Sequence, residues 1–142
     1  MKADDIDVLA RTIYGEARGE YGKQSGIASL IAVGNVVVNR VREGGRYGKT
    51  IREVCQKPWQ FSCWNEGDPN RRLIIQDTID DPVFSICCEV ALKVSQQQWP
   101  DLTMGSDHYH ASTMPTYPSW VKNITPKVSI GQHLFYQLKK GD

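Results

Sequence analysis

The stretch Ile6-Asp7-Val8-Leu9-Ala10-Arg11-Thr12-Ile13-Tyr14-Gly15-Glu16-Ala17-Arg18-Gly19-Glu20 decides the fold. Its apolar residues Ile6, Leu9, Ala10, Ile13, Tyr14 and Ala17 recur at helical spacing. Asp4 or Asp5 suits the cap and first turn, and Gly19 and Gly22 suit the end. On a wheel of about 100° per residue starting at Ile6, Leu9, Ile13 and Ala17 cluster at about 300°, 340° and 20°. Glu16 falls at about 280°, on the edge of that stripe, and Glu20 at about 320° if the helix passes Gly19. A carboxyl at an apolar edge is partly desolvated. Desolvation disfavours the charged form, which suits a general acid near neutral pH. The plainer alternative is a rim residue paired with Arg11 or Arg40.

Working outward, Gln24 to Arg42 is predicted as a second, central helix, apolar on most sides. A strand through Val36-Val37-Val38 is its rival, and the length of the apolar region favours the helix. Gly26, Ala28 and Gly34 are expected to admit close neighbours. Thr50-Ile51-Arg52-Glu53 reads as a capping box opening a short helix stopped by Pro58. Asp81 and Pro82 open a third long helix with a stripe of Val83, Cys87, Val90, Ala91 and Val94. Residues 100–127 read as loops with short extended pieces. Val128 to Ile130 and His133 to Tyr136 read as two strands around Gly131-Gln132. The expected class is α+β, mostly helical, with a small antiparallel β element.

The 142 residues amount to one domain, 1–142. A net charge of +1 argues against nucleic acid and against electrostatic membrane attachment. The apolar run Ile27 to Val41 is interrupted by Ser29, Gly34, Asn35, Asn39 and Arg40 and is too short to span a bilayer. The acidic N-terminus lacks the basic start and apolar core of a secretory signal, so no signal peptide is expected.

The aromatic set Trp59, Phe61, Trp64, Trp99, Tyr109, Tyr117 and Trp120 is rich for this length. Aromatic faces beside amides and hydroxyls suit sugar rings, and they equally suit a core. Cys55 and Cys63, eight positions apart, are a candidate disulfide. His108-x-His110 with Cys63, or Cys87-Cys88, gives only a weak metal signal, so no metal and no cofactor is expected. A Cys-His hydrolase built on Cys63 lacks a helix N-terminus or cation to activate the thiol.

At Ile13-Tyr14-Gly15-Glu16-Ala17-Arg18-Gly19-Glu20 the chain resembles the SleB/CwlJ-like cell-wall hydrolases, which include spore cortex-lytic enzymes and phage lysis proteins. The resemblance continues at Ala32 to Val41, Tyr47-Gly48-Lys49-Thr50-Ile51 and Gln60-Phe61-Ser62-Cys63-Trp64. It returns at His108-Tyr109, Pro118-x-Trp120 and Ile130-Gly131-x-His133-x-Phe135. It implies a lysozyme-like domain whose partner is the peptidoglycan glycan strand, cut between N-acetylmuramic acid and N-acetylglucosamine. It makes Glu16 the catalytic acid. It assigns Gln60, Ser62 and Tyr109 to substrate binding, Tyr109 against the glycan face or against Glu16, with Glu20, Trp64 and Trp120 as further candidates. Glu20 has the alternative of binding loop backbone, and Trp64 and Trp120 are expected to be half structural. With one carboxylate named, a lytic transglycosylase is favoured over a hydrolase. A hydrolase needs a second carboxylate, and Asp107 or Glu20 is the suspect, with Asp68, Asp80 and Asp81 also present. A noncatalytic wall-binding module is the remaining alternative. A monomer is the default at this size, made without an export signal and acting on the wall.

Overall fold

The computed structural model describes residues 3–138. Five helices come in the order α1 (Ala3–Tyr21), α2 (Ile27–Val41), α3 (Ile51–Gln56), α4 (Arg71–Ile74) and α5 (Pro82–Ser95). Three strands follow: β1 (His108–Ala111), β2 (Val128–Ile130) and β3 (His133–Tyr136). Single 3₁₀ turns lie at Ser62–Trp64 and Ser119–Val121. The α+β class read from the sequence is the one observed.

Helices α1, α2 and α5 form the core. The stripe Leu9, Ile13 and Ala17 of α1 meets Leu30, Val33, Val36 and Val37 of α2 and Val90, Ala91 and Val94 of α5, all buried. The tightest approach is at Gly34, where a Cβ would sit 3.2 Å from Val94 Cγ1 and 3.5 Å from Ile13 Cδ1. Of the three small residues expected to admit neighbours, Gly26 does something else. It turns the chain into α2 with φ +55, and a Cβ there would meet nothing within 4 Å. Helix α1 runs through Gly19 to Tyr21, so Glu20 keeps its helical position.

Polar groups fix how the helices dock. Asp4 and Asp5 lie in the first turn of α1 rather than capping it, because α1 begins at Ala3. They serve α3 instead. Asp5 Oδ1 accepts from Arg52 N–H at 3.2 Å and Asp4 Oδ2 from the Arg52 guanidinium at 2.8 Å, placing acids where the α3 N-terminus presents unpaired donors. Thr50 Oγ1 accepts from Glu53 N–H at 3.1 Å, as a capping box requires. The Glu53 carboxylate reaches Lys49 N–H, one residue further back. Asp81 caps α5 through Val83 N–H at 2.9 Å and accepts the Tyr14 hydroxyl at 2.6 Å, clipping α5 to α1.

The sheet is antiparallel with order β1-β3-β2. The β2–β3 pair is the hairpin expected around Gly131-Gln132. Strand β1 falls where the sequence predicts only short extended pieces within loops. His-Tyr-His carries no β-branched residue, and its order comes from pairing with β3, in the register Tyr109↔Phe135 and Ala111↔His133. Alternation along β1 gives the sheet two different faces. Tyr109, His133 and Phe135 share one face, with ring centroids of Tyr109 5.2 and 5.4 Å from His133 and Phe135. His108, His110 and Tyr136 share the other.

Candidate active site

Glu16 lies on α1 where the helix faces the first side of the sheet. Its Oε1 accepts the Tyr109 hydroxyl at 2.8 Å. Its Oε2 accepts the Cys63 backbone N–H at 3.3 Å. Among the described residues Glu16 makes no ion pair. Neither arginine proposed as its plain partner reaches it. Arg11 binds Asp7 and the carbonyls of Ile74, Gln76 and Asp77. Arg40 binds the Asp107 carbonyl and Gln60. Two neutral donors thus orient the carboxyl, and each oxygen retains a further lone pair.

The donors stay donors at neutral pH. Burial, then the charge of Glu16 and the hydrogen bond to it, push the Tyr109 phenol well above its ordinary 10. His133 packs edge-on against Tyr109, and burial lowers its pKa from 6.5 despite the opposing fields of Glu20 and Glu16. It is therefore neutral at pH 7. The fixed positive charge behind the site is Arg40, 5% exposed. Burial pulls its pKa down while Tyr109, Tyr47 and Asp107 oppose that pull. Its guanidinium donates to the Asp107 carbonyl at 2.7 Å and to Gln60 Oε1 at 3.1 Å, and lies 5.1 and 5.0 Å from the ring centroids of Tyr47 and Phe61.

Close packing carries the Gln60 to Trp64 segment to Glu16. A Cβ on Gly15 would lie 2.8 Å from both Cys63 Cβ and Sγ, so only glycine lets the 3₁₀ turn sit against α1 there. Trp64 pins the turn to the same helix, its indole N–H donating to Thr12 Oγ1 at 2.9 Å. The expected disulfide is absent: Cys55 and Cys63 are free, buried thiols. The Cys63 Cβ and Sγ pack against Gly15 of α1. Burial, then the nearby Glu16 charge, drives the Cys63 thiol far above its ordinary value, the opposite of what a nucleophile needs.

The sequence-derived candidates separate. Glu16, Tyr109, Gln60 and Ser62 belong to one region, with Ser62 exposed at the start of the turn and Gln60 exposed but tethered by Arg40. Trp64 lies beside them as a packing residue. Trp120 is not brought to Glu16. Its ring packs on His108, Tyr136 and His110 at 5.0, 5.1 and 5.7 Å, covering the second face of the sheet. The nitrogens of His110 meet the Ala111 carbonyl and the Tyr136 hydroxyl. Among the described residues no group of three or more His, Cys, Asp or Glu is placed to hold a metal ion.

Glu20 makes its contacts apart from Glu16. It is 7% exposed, accepts the Gln132 N–H at 3.1 Å and pairs with Lys23 at 3.2 Å. Binding loop backbone is thus the observed one of its two expected roles. Burial alone would raise its pKa; the Gln132 N–H and Lys23 outweigh burial and the net direction is down. A depressed native pKa makes the contribution complete above the ordinary carboxyl value of 4.5 and lost as pH falls through the native value. Glu20→Gln is therefore expected to cost about 1–2 kcal/mol at pH 7 and progressively less toward pH 3, read by urea unfolding at both pH values.

Arg40, His133 and the Cys63 N–H were not singled out from the sequence as site groups. Arg40 is the one charged residue of α2, and that placement is the available signal. A backbone N–H leaves none.

The site is thus a carboxyl held by a phenol and a main-chain donor, beside a three-helix core backed by a small sheet. A family model described as Cell Wall Hydrolase matches residues 25–136, and the chain belongs to that family. Glu16 and Glu20 precede the matched segment. The chain is similar to the catalytic domain of the Bacillus cereus SleB protein, with TM-score 0.73 and 23% identity over 96% of this chain and 91% of that one. It is also similar to the catalytic domain of the germination-specific lytic transglycosylase SleB from Bacillus anthracis, with TM-score 0.71 and 22% identity over 96% and 97%. Those identities establish a common fold. No curated protein matches the chain. Among the described residues no helix is long and apolar enough to cross a membrane.

Proposed function

We propose that this cell-wall hydrolase cuts peptidoglycan glycan strands between N-acetylmuramic acid and N-acetylglucosamine as a lytic transglycosylase, with residues 1–142 acting as one catalytic domain. The observation that carries the reading is Glu16 with the Tyr109 hydroxyl on one oxygen and the Cys63 N–H on the other. The Bacillus anthracis relative, described as a lytic transglycosylase, supports the same chemistry.

Protonated Glu16 gives its proton to the glycosidic oxygen, and the bond from that oxygen to the muramic acid C1 breaks. The carboxylate so formed is stabilised by Tyr109 and the Cys63 N–H, donors already in place when the charge develops. The same carboxylate then takes the proton of the muramic acid 6-hydroxyl. The freed oxygen bonds to C1, closing a 1,6-anhydro ring and returning Glu16 to its acid form. No water is consumed. Gln60 and Ser62 line the approach and supply amide and hydroxyl contacts to the sugar.

The hydrolytic alternative needs a second carboxylate facing Glu16 across the sugar. Glu20 is engaged with Gln132 and Lys23. Asp107 is 1% exposed, with Oδ1 accepting from Leu138 N–H at 2.9 Å and lying 2.9 Å from His108 Nδ1. Neither is presented to a substrate. Digestion of purified peptidoglycan tests the proposal: soluble muropeptides ending in 1,6-anhydro muramic acid are expected by mass spectrometry. Reducing ends would establish hydrolysis, and no release from several wall types would favour a binding module.

A further inference from the structure

Trp59 is 83% exposed and holds φ +68, a backbone region that bulky side chains rarely occupy. Its N–H donates to Asn65 Oδ1 at 3.3 Å, which helps hold the bend. Both features work against stability. The indole gains little from the core, and the backbone is strained. Strain of this kind collects where a side chain must be presented to a ligand.

What the ring is presented over is specific. Trp59 borders a groove of about 390 Å³ lined with Gln56, Pro58, Trp64, Asn65 and Glu66. The walls combine two indoles with two amides and one carboxylate, and no cation. An aromatic face with hydrogen-bonding edges suits a sugar ring. The lack of a basic lining residue argues against a phosphate or a peptide carboxylate. A neighbouring groove of about 500 Å³ does contain Arg52 and Lys57.

The groove's lining neighbours the candidate active site along the chain. Trp64 in its wall is bonded to Thr12, one helical turn or about 6 Å along α1 from Glu16. Trp59 itself directly precedes Gln60. We propose that Trp59 and this groove form a second sugar-binding platform, which stacks an N-acetylated sugar of the glycan strand beyond the bond that is cut. The inference rests on the function proposed above and names where that substrate's flanking sugars bind.

The test uses full-length Glu16→Gln protein, which binds without cutting, and purified uncrosslinked glycan strands as the probe. Adding Trp59→Gly is expected to weaken strand binding on the order of tenfold. It should leave Tm unchanged or higher, since glycine accepts φ +68. Trp59→Phe keeps a ring and should retain most of the affinity. Leu92→Ala, which also removes exposed apolar surface, should bind like the parent. Unchanged binding by the Trp59→Gly protein overturns the platform and leaves the proposed function standing. Equal losses in the Trp59→Gly and Leu92→Ala proteins also overturn it. No strand binding by the Glu16→Gln parent overturns both readings.

Discussion

Glu16→Gln is expected to lower muropeptide release by at least about 10³-fold while leaving the protein folded. In the proposed mechanism one group serves as acid and then as base, and general acid–base catalysis alone typically contributes about 10²–10⁴-fold. An amide neither gives nor takes the proton. Its single carbonyl oxygen can still accept from Tyr109 or from the Cys63 N–H, so the unfolding midpoint should move little. The contrast with Glu20 is sharp, although the two lie one turn apart on the same helix. Glu20→Gln removes a turn anchor and should act on stability and its pH dependence, with catalysis preserved at temperatures where the variant is folded. Comparable activity loss in both variants, both well folded, would contradict the division of roles drawn from their partners.

Arg40→Ala is expected to be the most destabilising single change at the site, costing about 3–5 kcal/mol in urea unfolding. Against a typical domain stability of about 5–15 kcal/mol, that is enough to threaten folding. The side chain is 5% exposed and lies between the rings of Tyr47 and Phe61, so truncation leaves a cavity and removes two cation–π contacts. It also strips the donor from the Asp107 carbonyl. The buried Asp107 carboxylate, whose Oδ2 has no hydrogen-bond partner among the described residues, loses a nearby positive charge. Arg40→Lys should recover little, because an ammonium cannot reproduce the planar fork shared between the Asp107 carbonyl and Gln60. A cost under about 1 kcal/mol for Arg40→Ala would mean that the guanidinium contributes little to holding the Gln60 segment.

Local signals made much of this legible in the sequence. The helical spacing around Ile13, the Asp81-Pro82 start and the Thr50 capping box act within a turn or two of chain, and the helices formed where they point. The position of Glu16 at an apolar edge also follows from periodicity. Long-range consequences were harder to read. Strand β1 exists because β3 pairs with it. Trp120 stands near Tyr109 in the chain, but the two rings lie on opposite faces of one sheet. The cysteine spacing allows a disulfide, but Cys55 and Cys63 are both free, buried thiols. The second oxygen of Glu16 is held by a main-chain N–H, which every residue except proline carries and no motif marks.

The most direct test of a single glutamate serving both proton transfers is digestion of purified peptidoglycan by the wild-type protein in ¹⁸O-labelled water. The account predicts 1,6-anhydro muropeptides without label, because the attacking oxygen belongs to the substrate. Reducing-end muropeptides carrying ¹⁸O would show water as the nucleophile and contradict it.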